Sequence, residues 1–127
     1  MNQTGYIPGA CNIGSVEVRW RKVSFYIALA VAAALFVYNL LMPLNYINLC
    51  ILFFTATITA INFQQYRNRF CIKYGWLHQF NFGKRGMRQN VYDKKQIDLD
   101  RKKVIEIVFK SFLFAVLIVV SVYLLHS

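Results

Sequence analysis

Apolar residues in this chain come in blocks, not at alternating positions. Val23 to Leu41 runs 19 residues without a charge, and Ile47 to Phe63 runs another 17. Val104 to Leu125 gives 22, broken only by Glu106 and Lys110 near its start. A helix rises ~1.5 Å per residue, so roughly 20 residues cross a hydrocarbon core of about 30 Å. The pattern predicts an all-α membrane protein with three transmembrane helices, at 23–41, 44–63 and 104–125, Leu44 to Tyr46 lengthening the second block. The whole of 1–127 is then a single membrane domain, with a polar segment at 1–22 and a basic, aromatic loop at 64–103. The polar remainder is too short to cover three such blocks in a soluble fold.

Charge sets the expected orientation. The chain is 57% apolar with a formal charge of +10. All 15 bases fall in residues 1–22, in 64–103 or at Lys110, and neither Met42–Tyr46 nor the tail after Leu125 carries one. Lysine and arginine resist translocation. The N-terminus and the long loop are therefore expected in the cytoplasm, the C-terminus outside. The first apolar stretch exceeds a signal-peptide core and follows a long polar segment, so an uncleaved helix is expected.

Inside the membrane, Ala28 and Ala32, Ala30 and Ala34, and Ala56 and Ala60 are spaced four apart, which allows close helix approach. Thr55, Thr57, Thr59 and Asn62 must find partners or bond back to their own helix. Asn39, Asn48 and Asn62 read as end-of-helix or interhelical hydrogen-bonding groups, with pore lining as the rival. The third helix is aliphatic nearly all round and is expected to face lipid. No acid sits at a midplane, which argues against proton relays and ion-coupled transport. Glu106 and Lys110, i and i+4, read as a snorkelling pair, and His126 sits alone at the far end.

The loop holds 11 bases against three acids and is too aromatic for a floppy linker. Gln64 to Tyr74 is expected to continue the second helix, with Gly75 as its C-cap. Phe80 to Gly83 reads as a short extended segment or turn, and Asp98 to Lys103 as the start of the third helix. Phe70, Tyr74, Trp76, Phe80 and Phe82 beside these bases fit attraction to anionic lipid. Arg19, Arg21, Lys22, Lys84, Arg85 and Arg88 are the expected contacts to lipid or a partner. Nucleic acid is not expected, because topology already accounts for the bases.

Three cysteines remain. Cys50 lies inside the second helix, where a small buried thiol is the default. Cys11 and Cys71 share one side, where a cytoplasm disfavours a disulfide. With His78 they offer three of the four ligands of a zinc site, without the C-x-x-C spacing of strong sites. No catalytic triad, carboxylate pair or phosphate-cradling loop is visible, so no enzyme and no obligate cofactor are expected.

"GACNIG" with Glu17 and the bases after it, Gln65, Arg67, Phe70 with Cys71, Tyr74 with Gly75, "FNFG" at Phe80 to Gly83, and Asp100 to Lys103 together resemble a family of small, uncharacterised bacterial membrane proteins. The likeness covers roughly residues 9 to 110. It implies a bacterial inner membrane and a grouping of motifs, and carries no activity. The pattern sets a histidine two residues before the cysteine, where this chain has Arg69, which weakens a metal reading. If the motif segments pair, Cys11, Asn12, Gly14 and Glu17 meet Arg67, Cys71, Asn81 and Gly83 in a cytoplasmic cap, with Glu17 ion-paired to Arg67 or Arg21. The expected role is a non-catalytic accessory or scaffold subunit of a larger membrane complex, or a homo-oligomer. The alternatives are a metal- or redox-responsive module using Cys11 and Cys71 and, more distantly, a homo-oligomeric channel.

Overall fold

The computed structural model describes residues 6–83 and 89–126. Their order is α1 (Ser15–Leu41), α2 (Tyr46–Asn68), the short α3 (Ile72–Trp76), β1 (Gln79–Phe80), β2 (Gln89–Asn90) and α4 (Lys94–His126). The chain is mostly helical, and α1, α2 and α4 are each long and apolar enough to cross a membrane. Within the loop, β1 and β2 pair antiparallel, Gln79 opposite Asn90 and Phe80 opposite Gln89.

The turn between α1 and α2 is set by two residues. Met42 is extended and Pro43 cannot continue a helix. The Asn45 side chain then caps α2, accepting from the Ile47 and Asn48 amides. The opposite ends overrun the apolar blocks: α1 starts at Ser15, α2 runs to Asn68 and α4 starts at Lys94. Asp93, not Asp98, stands at the start of α4, its Oδ1 accepting from the Lys95 amide at 2.9 Å.

The helix expected to run from Gln64 through Tyr74 breaks at Arg69. That residue is left-handed at φ 55°, and its amide and that of Phe70 both turn back to the Gln65 carbonyl. Gln65 Oε1 also accepts the Ile72 amide at 3.0 Å, so one side chain ends α2 and opens α3. Gly75 is not a C-cap. It lies within α3, where a Cβ would fall 2.6 Å from Phe70 Cζ and 2.9 Å from Val104 Cγ2. Glycine is there so that α3 can press onto a buried ring.

In the membrane-spanning part α2 lies between α1 and α4, burying Leu49, Leu52, Ala56 and Thr59 on one stripe. α4 answers with Ile107, Ser111, Ala115 and Val122, so it does not face lipid all round. Small Ser111 and Ala115 mark the seam, hidden in the sequence among bulkier aliphatics. Gln64 on α2 crosses to α4, donating to the Ile107 carbonyl at 3.1 Å and to Ser111 Oγ at 2.7 Å. Leu49, Leu52 and Val122 form the core at the far end, and Phe70, Val104 and Ile107 the core near the loop. Only 6% of the most apolar window of α1 is buried, against 22% for α2 and α4. Bare aliphatic surface on that scale is what a bilayer covers.

Polar groups in the spans are satisfied locally. Thr55, Thr57, Thr59 and Ser121 each donate to the carbonyl four residues back. Asn39 does the same onto Leu35. His126 is not solitary: its ring reaches the Asn39 carbonyl and ties the end of α4 to α1. Glu106 holds both Lys103 and Lys110, at 3.0 and 3.3 Å.

Candidate functional site

The chain before α1 and the chain after α2 form one cap over the helix ends. Ile7 to Ala10 makes a turn, with the Ala10 amide on the Ile7 carbonyl and Gly9 at φ 73°. Pro at the second and a positive-φ glycine at the third position are what a type II turn requires. Beyond it, the Asn12 and Ile13 amides donate to the Arg69 carbonyl that the left-handed bend presents. Ile13 pairs in parallel with Asn81: the Asn81 amide donates to Asn12 O and the Gly14 amide to Asn81 O, each at 2.8 Å. The backbones run so close at Gly14 that a Cβ there would sit 2.9 Å from Phe82 Cα.

Three buried polar side chains lock this pairing. Asn12, fully buried, uses both halves of its amide on the backbone of one residue, accepting from Cys71 N at 2.7 Å and donating to Cys71 O at 3.2 Å. Asn81, also fully buried, donates to Glu17 Oε2 at 3.1 Å and accepts the Gly83 amide at 2.9 Å. Glu17, 1% exposed in the first turn of α1, takes the Tyr74 hydroxyl on the same oxygen at 2.6 Å. Burial, and next the Glu17 carboxylate, push the Tyr74 hydroxyl above the usual tyrosine range, so it stays a donor. Ile13, Cys71 and Tyr74 pack as the apolar floor of this network.

A second buried carboxylate anchors the N-terminal turn. Asp100 is fully buried, accepting from Tyr6 Oη at 2.6 Å and from the Gly9 amide at 2.7 Å. The Tyr6 ring stacks on Phe80 with centroids 4.7 Å apart. Burial, with Asp100 second, holds the Tyr6 hydroxyl far above its usual range.

Of the residues expected in the cap, Asn12, Gly14, Glu17, Cys71, Asn81 and Gly83 are joined by these contacts. Cys11 lies at the edge, half-buried, its thiol on the Ile13 carbonyl at 3.8 Å. Burial pushes that thiol up, although Arg69 draws it partly back. Arg67 is exposed on the last turn of α2 and does not pair with Glu17. The partner is Arg21, at 3.7 Å, because i and i+4 place it on the same face of α1. Arg21 therefore turns inward and not to lipid, donating to Cys71 Sγ at 3.0 Å. Arg19 and Lys22 are exposed. Lys84, Arg85 and Arg88 lie outside the described residues.

The structure does not gather Cys11, Cys71 and His78. His78, left-handed at φ 62°, places its ring nitrogen 2.7 Å from an Arg101 guanidinium nitrogen. Arg101 in turn lies over the Trp76 ring at 5.0 Å. Among the described residues no three His, Cys, Asp or Glu side chains cluster as metal ligands would.

Sequence reasoning missed Tyr6, and named Ile13, Gln65 and Asp100 only as motif residues without a place in the cap. Asp100 left a signal: it precedes Val104, Ile107 and Ser111 by four, seven and eleven residues, on the buried stripe of α4. Comparison with known proteins returns no matching family model, curated protein or solved structure.

Proposed function

We propose that this protein is a non-catalytic, multi-pass subunit of a bacterial inner membrane, acting as a scaffold or accessory in a larger complex or with copies of itself. The observation that carries this reading is how the cap uses its polar groups. Asn12, Glu17, Asn81 and Asp100 are buried and turned on one another, on backbone or on tyrosine hydroxyls, so their chemistry holds the fold together. Arg19, Lys22, Arg67 and Lys73 are exposed, as are Trp20 and Trp76, the residue types of a docking rim at an anionic surface. The one-sided bases support a cytoplasmic cap and an external C-terminus, and the motif likeness supports membership of the small bacterial family.

Two experiments test this. A reporter fused after Ser127 should be active outside the cytoplasm; a cytosolic signal would sink the orientation. Gentle detergent extraction should release an assembly larger than one chain, lost when Arg19, Lys22 and Lys73 are reversed to glutamate. A monomer with no co-purifying protein would overturn the subunit reading. One contact favours a second reading, a redox-responsive module: the Arg21 guanidinium donates to the Cys71 sulfur at 3.0 Å. Elemental analysis and thiol titration of the parent beside Cys11→Ser/Cys71→Ser separate the two. Stoichiometric zinc or a reversible oxidation would promote the second reading.

A further inference from the structure

Between α1 and α4, over the face of α2, the bundle leaves a groove of about 670 Å³. Its size is that of small-molecule sites, ~300–1,000 Å³. It exists because α1 and α4 both pack on α2 yet meet each other only sparsely. Ala32 and Ala33 of α1 and Ala56 and Ala60 of α2 keep its floor low. Phe25 and Val37 of α1, both in its lining, are separated by roughly 18 Å of helix.

The groove is polar at one end only. Gln64 and Lys110 line the end toward the cap, while Phe36, Leu52 and Ile118 line the other. Lys110 does not have its counter-charge to itself. Glu106 is shared with Lys103, so two lysines meet one carboxylate and a net positive charge stands at the mouth of an apolar channel. The Lys110 side chain is 62% exposed and free to take another partner.

We propose that the groove is a binding site for one anionic phospholipid, its phosphate on Lys110 and one acyl chain along the alanine floor. The polarity gradient selects this occupant over a partner helix. A spanning helix needs a seam apolar along about 30 Å, whereas this groove is shorter and begins at a cation. The headgroup supplies a second anion to two lysines that share one carboxylate, and the chain fills the channel.

The test uses the full-length protein in phosphatidylcholine vesicles with a minor fraction of phosphatidylglycerol, each lipid in turn spin-labelled on its acyl chain. The expected result is about one immobilised phosphatidylglycerol per chain in excess of phosphatidylcholine. Lys110→Gln should cut that selectivity about fivefold, the factor one basic residue contributes at an anionic surface. Ala33→Trp or Ala60→Leu should abolish the site, while Ala30→Trp, outside the groove lining, leaves it intact; circular dichroism confirms helicity in each. Unchanged selectivity in Lys110→Gln, or an unchanged immobilised component in both filled variants, overturns the proposal. So does an Ala33→Cys disulfide between copies, which would make a second chain the occupant.

Discussion

Asn12 is the residue on which the cap can be tested most sharply. Its side chain bonds both the amide and the carbonyl of Cys71 at a site with no solvent access. Asn12→Ala leaves the Cys71 amide buried without a partner, at ~1–3 kcal/mol, while the Cys71 carbonyl keeps the Gly75 amide, so opening of the cap should become easier by about 1–3 kcal/mol. Cys71, 1% exposed, reports that opening, because its thiol can react with a soluble alkylating reagent only when the segments part. The background carries Cys11→Ser and Cys50→Ser, leaving one reactive sulfur. A change of 1.4 kcal/mol is tenfold, so even the lower bound of about 1 kcal/mol accelerates labelling roughly fivefold. Far-UV circular dichroism should hardly change, since α1, α2 and α4 pack below the cap. A labelling rate within about threefold of the parent, under ~0.7 kcal/mol, would refute the argument that Asn12 locks the segments.

Other perturbations address separate contacts. Gly14→Ala puts a methyl 2.9 Å from Phe82 backbone and Gly75→Ala one 2.6 Å from the buried Phe70 ring; each should cost ~1–3 kcal/mol in the same labelling assay. Asp100→Ala removes two acceptors from a buried site and should cost about 2–4 kcal/mol, seen as faster hydrogen exchange over residues 6–11 with the Asn12 and Gly14 amides less affected. Tyr6 and Tyr74 hold their protons more tightly folded than unfolded, burial first and the neighbouring carboxylates next. Cap stability should therefore be level with respect to these groups below about pH 10, where unfolded tyrosine ionises, and fall as pH rises beyond it. Near-UV circular dichroism of the parent against Tyr6→Phe/Tyr74→Phe measures this, and a double variant as alkali-sensitive as the parent would exclude the tyrosines as the cause.

The three spans were legible because lipid imposes one simple demand, length of apolar helix, and Val23–Leu41, Ile47–Phe63 and Val104–Leu125 each meet it. Which face of a span turns inward was not legible. In α4 the buried stripe is marked only by Ser111 and Ala115, whose smallness says little until α2 is beside them. The cap was readable as a set of residue types, because Asn, Gly and Glu next to a polar helix start are rarely there for apolar burial. Its pairing was not. Whether Glu17 meets Arg67 or Arg21 depends on where α2 stops, and that is decided by a left-handed Arg69, a conformation few sequence rules assign to arginine. Asp100 was hidden for a related reason: an aspartate near a helix start reads as a dipole partner until a tyrosine and a turn 91 residues upstream reach it.

The lock between Asn12 and Cys71 joins positions 59 residues apart, with two helices between them. At ~5–20 residues per second, a ribosome needs roughly 3–12 s after making one half to deliver the other. Throughout that interval the leading segment waits at the membrane surface with its amides open to water. It can engage only once the first pair of helices has been inserted as a hairpin. Biogenesis thus carries a fixed order of events, in which the segment made before α1 settles only after α2 has followed it.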